Sequence, residues 1–147
     1  MTLINLGEVE GATRVYRQAI RESPQNSDAH FGLAIALLKQ GKAAEAAECF
    51  TKTLQCDPTR ADAHFEMANL LVARDQPREA MDHYAEALRL RPDYVEAMQN
   101  LGAVFLMMGD VDRAIAQLNE ALRLQPDNPQ ARANLERAVQ AQRERPN

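Results

Sequence analysis

The sequence predicts an all-α fold built from a repeated pair of helices, and three observations predict it. Pro24, Pro58, Pro92 and Pro126 follow one another at intervals of 34 residues. Small and apolar residues keep the same step: Ala12, Ala46, Ala80 and Ala114; then Tyr16, Phe50, Tyr84 and Leu118; then Ile20, Leu54, Leu88 and Leu122. Within each unit, two stretches carry apolar residues at helical spacing, separated by a breaker. Composition agrees. Only 5% of residues are aromatic and Trp is absent, while Ala, Leu, Glu, Gln and Arg, which lose little side-chain freedom in a helix, are plentiful.

In chain order, Gly7 falls on the step of Gly41 and Gly109, with Asp75 in the remaining place. Residues 1–26 therefore read as a partial first repeat with its inter-helix turn at Gly7. Only the tail of its first helix, with Leu3, Ile4 and Leu6, is present. Residues 27–60, 61–94 and 95–128 read as complete repeats. In the last of these, Ala97, Leu101, Val104, Phe105 and Met108 form one helical stripe, Gly109-Asp110 breaks it, and Ala114, Leu118, Ala121 and Leu122 resume it. Asp93 with Glu96, and Asn128 before Pro129, mark helix starts. Residues 129–145 read as a capping helix. Its apolar stripe is Ala131, Leu135, Ala138 and Val139, and its other faces carry Arg132, Arg137, Arg143 and Arg145. A single unit of this size cannot bury its apolar faces alone, so the units are expected to stack as one domain over 1–147.

Charge and chemistry narrow the function. A net charge of −4 and a pI near 5.4 argue against a nucleic-acid binder, which would need a basic face to replace counterions on phosphates, so no nucleic-acid partner is expected. No run approaches a membrane span and no leader pattern opens the chain, so no membrane insertion and a cytoplasmic character are expected. Cys49 and Cys56 lie seven positions apart on one predicted helix. That is roughly 10 Å of rise, beyond disulfide reach, and both read as small buried apolar residues in a reducing compartment. There is no phosphate loop, nucleophile elbow or Cys-x-x-Cys pair, so neither catalysis nor a cofactor is expected. His30 and His64 share a register, but neighbouring first helices stand about 10 Å apart, too far for the two to hold zinc alone. Both read as structural, and no metal site is expected.

A 34-residue helix–turn–helix with Leu33, Ala34, Leu37, Ala46, Phe50 and Pro58 resembles the tetratricopeptide repeat (TPR) family. The next unit supplies Met67, Ala68, Leu71, Ala80, Tyr84 and Pro92. The third supplies Leu101, Gly102, Phe105, Ala114, Leu118 and Pro126. The usual Trp near each first-helix start is replaced by His30, His64 and Met98. The resemblance implies a right-handed superhelical solenoid of antiparallel helix pairs with a C-terminal capping helix. It also implies a protein–protein interaction module whose first helices line a concave groove for an extended peptide or a partner helix.

On that resemblance, partner binding is expected at Phe31, Ile35, Phe65, Glu66, Asn69, Asn100 and Asn134, with Asp28, Gly32 and Asp62 nearby. The asparagines can hold a peptide backbone because an amide both donates and accepts. Phe31 and Phe65 offer an apolar shelf. The co-chaperones of the family clamp acidic C-termini with basic groove residues. Phe65, Asn69, Asn100, Gln130 and Asn134 here include no such cation, and Asp62, Glu66 and Glu96 would repel an acidic tail. The expected ligand is thus an apolar or mildly basic peptide or helix. Two other readings stay open: a self-associating scaffold joined through its open N-terminal edge, where Leu3, Leu6 and the Ala12–Ile20 face lack cover, and the repeat region of a larger enzyme such as a glycosyltransferase.

Overall fold

The computed structural model describes residues 4–144. Among them the chain forms eight α-helices and no strand: α1 (Ile4–Glu22), α2 (Ser27–Lys39), α3 (Ala43–Cys56), α4 (Ala61–Ala73), α5 (Pro77–Leu90), α6 (Val95–Met107), α7 (Val111–Leu124) and α8 (Pro129–Arg143). They fall into two compact units, Met1–Leu70 and Leu71–Asn147. Leu3 and Arg145, and the side chains of Ile4 and Leu6, lie outside what is described.

Three hairpin corners close in the same way. Gly41, Asp75 and Gly109 take left-handed backbone, with φ of 75°, 58° and 76°. In each, the next amide reaches back five residues: Lys42 to Leu37 at 2.9 Å, Gln76 to Leu71 at 2.9 Å, and Asp110 to Phe105 at 2.8 Å. This satisfies a carbonyl that the end of a helix would otherwise leave unpaired.

Gly7 departs from the expectation. It lies inside α1, which runs unbroken from Ile4 to Glu22, so no inter-helix turn occurs there. Glycine permits a break without compelling one, and a helix that continues keeps its backbone hydrogen bonds at a cost of about 1 kcal/mol relative to alanine.

The helix starts carry their own chemistry. Asn26 and Asn128 cap α2 and α8, accepting hydrogen bonds from the amides of Ala29 at 3.0 Å and Ala131 at 2.9 Å. At α6 the cap position belongs to Tyr94, whose side chain makes no capping hydrogen bond, and not to Asp93. The first-helix position one turn in ties back to the preceding proline. A ring nitrogen of His30 pairs with the carbonyl of Pro24 at 2.9 Å, one of His64 with Pro58 at 3.1 Å, and Arg132 donates to Pro126 at 2.8 Å. The histidines thus pin the connector to the helix.

In the first unit, α2 packs against α1 and α3; in the second, α6 packs against α5, α7 and α8. Small residues set the approach. A Cβ built on Gly102 would come 2.7 Å from Cγ of Leu118, and one built on Gly32 would come 2.3 Å from Cζ of Tyr16. Ala34, Ala46, Phe50, Ala63 and Ala68 in the first unit, and Ala80, Ala87, Ala114, Leu118 and Ala121 in the second, have no exposed surface. Close-packed alanine against large side chains is what fills these interiors to crystal-like density. Cys49 and Cys56 carry free thiols and are half-buried, not fully buried as their sequence context suggested. Burial, followed by the charges of Glu48 and Glu45, pushes the Cys49 thiol up.

Candidate partner-binding face

The residues expected to bind a partner are distributed over both units. Phe31 and Ile35 on α2, and Phe65, Glu66 and Asn69 on α4, belong to the first; Asn100 on α6 and Asn134 on α8 belong to the second. All are half-buried except Asn134, which is buried at 5% exposure. Asn100 accepts a hydrogen bond from the Gln99 amide at 3.4 Å.

Phe31 is not a bare shelf. Its ring meets Phe50 edge-on, with centroids 5.7 Å apart and planes at 60°. The Arg60 guanidinium lies over it, 4.2 Å from the centroid. Arg60 is held there by Asp62, 3.0 Å from Nε, and by a short contact with Asp28. One cation therefore neutralises two carboxylates and stacks on an aromatic face, an arrangement for which arginine is suited and lysine is not.

Sequence reasoning missed Arg60. Its register mates Asn26, Tyr94 and Asn128 all hold helix N-cap positions, and the two asparagines cap through their side chains. A basic residue where its mates cap helices was the available signal. Gly32, expected on the binding face, instead makes room for Tyr16. It is register-equivalent to Glu66, Asn100 and Asn134.

Glu66 and Asn69 are brought within hydrogen-bond range, the amide donating to the carboxylate at 3.4 Å. Burial pushes the Glu66 carboxyl above its ordinary value of 4.5; the Asn69 hydrogen bond opposes the shift, and the Asp62 charge adds to it. Among the described residues, no Lys or Arg forms an ion pair with Glu66. A raised pKa means the folded state holds the proton more firmly than the unfolded state does. Stability is therefore lost as pH rises from 4.5 through the folded value. Glu66→Gln should raise the melting temperature at neutral pH, and the gain should vanish below pH 4. Thermal melts of both proteins across that range check the sign, and an equal or lower melting temperature for the variant at pH 7 contradicts it.

Sequence profiles described as tetratricopeptide repeat match residues 71–142, 1–61 and 49–82. The chain belongs to the tetratricopeptide repeat family. Solved TPR proteins share its fold. The crystal structure of MamA protein superposes with a TM-score of 0.85 at 25% identity, over 92% of this chain and 74% of that one. The first TPR of Spaghetti (RPAP3), bound to the HSP90 peptide SRMEEVD, gives 0.78 at 24% identity, over 82% of this chain and 95% of that one. The second TPR domain of human RPAP3, in complex with the HSP70 peptide SGPTIEEVD, gives 0.68 at 24%, over 72% and 88%. No curated protein matches the chain. Among the described residues, no helix is long and apolar enough to cross a membrane.

On the expected N-terminal edge, Val15 of α1 is 66% exposed, and Ala12 and Ala19 are half-buried. Their register mates Ala46, Ala80 and Ala114, and Thr53, Ala87 and Ala121, are fully covered.

Proposed function

We propose that this chain is a protein-interaction module whose first unit binds an apolar or mildly basic peptide or helix across Phe31, Ile35, Phe65, Glu66 and Asn69. The observation that carries the reading is Glu66: a half-buried carboxylate, next in sequence to Phe65, with no ion pair among the described residues. A ligand ammonium or guanidinium supplies the missing charge, and an apolar neighbour on the ligand seats against Phe65. Arg60 is already shared between Asp28 and Asp62, so it offers little to an acidic ligand. This sets the chain apart from the RPAP3 domains, whose peptides end in Glu-Glu-Val-Asp. Within the second unit taken by itself, half-buried Asn100 is a separate candidate for pairing with a peptide backbone, whereas Asn134 at 5% exposure is not.

A peptide array of Leu- and Phe-containing segments, flanked by Lys in one series and by Glu in the other, tests the reading. The Lys series should be captured. Phe65→Ala and Glu66→Gln should each weaken the best binder about tenfold in anisotropy titrations. Capture of the Glu series alone, or indifference to both substitutions, defeats it. Phe31→Ala is the poorer probe, because its ring also packs on Phe50.

A further inference from the structure

A second surface of the first unit has the opposite charge. A cleft of about 550 Å³ runs between α1 and α3, within the size range of ligand pockets. Its deeper wall includes Ile20 of α1, Leu33 of α2 and Cys49 of α3, which are half-buried or buried. Its exposed rim carries Arg17 and Arg21 on the α1 side and Lys52 on the α3 side, against one carboxylate, Glu48. In a chain of net charge −4, three cations to one anion around an apolar floor is a local reversal.

Among the described residues, two of those cations have only neutral acceptors. Arg21 donates to the Gln18 amide oxygen from Nε at 3.2 Å and from Nη2 at 2.6 Å, and Lys52 donates to the Gln55 amide oxygen at 3.1 Å. Arg17 stands 3.8 Å from Glu45, a loose pair with both side chains more than half exposed. An arriving carboxylate therefore gains charge-assisted hydrogen bonds from Arg21 and Lys52 without breaking an existing ion pair. The bulky apolar side chain needed to fill the floor brings the hydrophobic gain.

We infer that the α1–α3 cleft is a docking site for an acidic peptide segment. One bulky apolar side chain of the segment seats on Ile20, Leu33 and Cys49, and carboxylates on either side of it meet Arg21 and Lys52. The site uses none of the residues of the proposed α2/α4 face, and either can fail alone.

The probe is the fluorescein-labelled hexapeptide Asp-Glu-Leu-Phe-Glu-Asp, with the isosteric Asn-Gln-Leu-Phe-Gln-Asn as control, titrated by anisotropy against the full chain. The acidic peptide should bind and the amide peptide should bind at least about tenfold more weakly, as should the acidic peptide to the Arg21→Glu/Lys52→Glu variant. Both substituted positions are exposed, and circular dichroism verifies the fold. Bound peptide should slow iodoacetamide alkylation of Cys49, read by mass spectrometry, and leave Cys56 unchanged. Phe65→Ala should bind the acidic peptide as the parent does. Equal affinity for the two peptides, undiminished affinity of the charge-reversed variant, absent protection of Cys49, or loss of binding in Phe65→Ala each overturns the assignment.

Discussion

Phe50→Ala should destabilise the protein by about 4 kcal/mol, within the range for truncating a buried phenylalanine. That corresponds to a melting-temperature fall of roughly 10 °C for a chain of this size. Phe50 has no exposed surface, and Ala46, one turn earlier on α3, is equally sealed, so little can collapse into the space. The loss reaches the candidate face. Phe50 supports Phe31 edge-on, Phe31 carries Arg60, and Arg60 holds Asp28 and Asp62. Because a repeat array opens locally, hydrogen exchange is the sharper readout, and amides of α2 and α3 should lose protection before those of α7. Uniform loss over all helices, or a change under about 1 kcal/mol, would show that the Phe31–Phe50 contact is incidental.

Gly32→Val should cost about 1–3 kcal/mol, against the direction that helix propensity gives. Replacing a mid-helix glycine normally gains a few tenths to 1 kcal/mol. Here the new Cβ would come 2.3 Å from Cζ of the Tyr16 ring, forcing α1 and α2 apart or the ring out of its seat. In a Tyr16→Ala background most of the penalty should disappear, giving a coupling of about 1 kcal/mol or more in a double-mutant cycle. A stabilised Gly32→Val single variant in urea denaturation would mean that Tyr16 swings away freely.

Much of the fold was legible because its determinants are local and recur. The prolines at 34-residue intervals mark the connectors, and the alanine registers mark helix faces that came out fully covered, Ala46, Ala80 and Ala114 among them. Asp75, in the place of a missing glycine, took the left-handed backbone of its mates. Gly7 misled because register transfers composition, whereas a turn also needs a second helix folding back. At the candidate face, Phe31, Ile35, Phe65, Glu66 and Asn69 are only partly covered. The stacking of Arg60 on Phe31 was out of reach. It joins residues 29 positions apart, and nothing in periodicity says where a long cationic side chain comes to rest. The burial of Asn134 was hidden for the same reason, since register predicts a face but not how much of it neighbours cover.

Asp75 also bears on how this architecture tolerates mutational drift. A Cβ at Gly41 or Gly109 would meet nothing within 4 Å, so the obstacle to other residues at those corners is dihedral strain alone, about 1–2 kcal/mol. Asp75 shows a non-glycine residue accepting that strain while its corner closes through the same five-residue amide bond. Glycine is thus a convenience at this corner and not a condition for the bend. Homologous arrays can therefore diverge at these codons without changing how their helices fold back, which helps such a fold persist at low sequence identity.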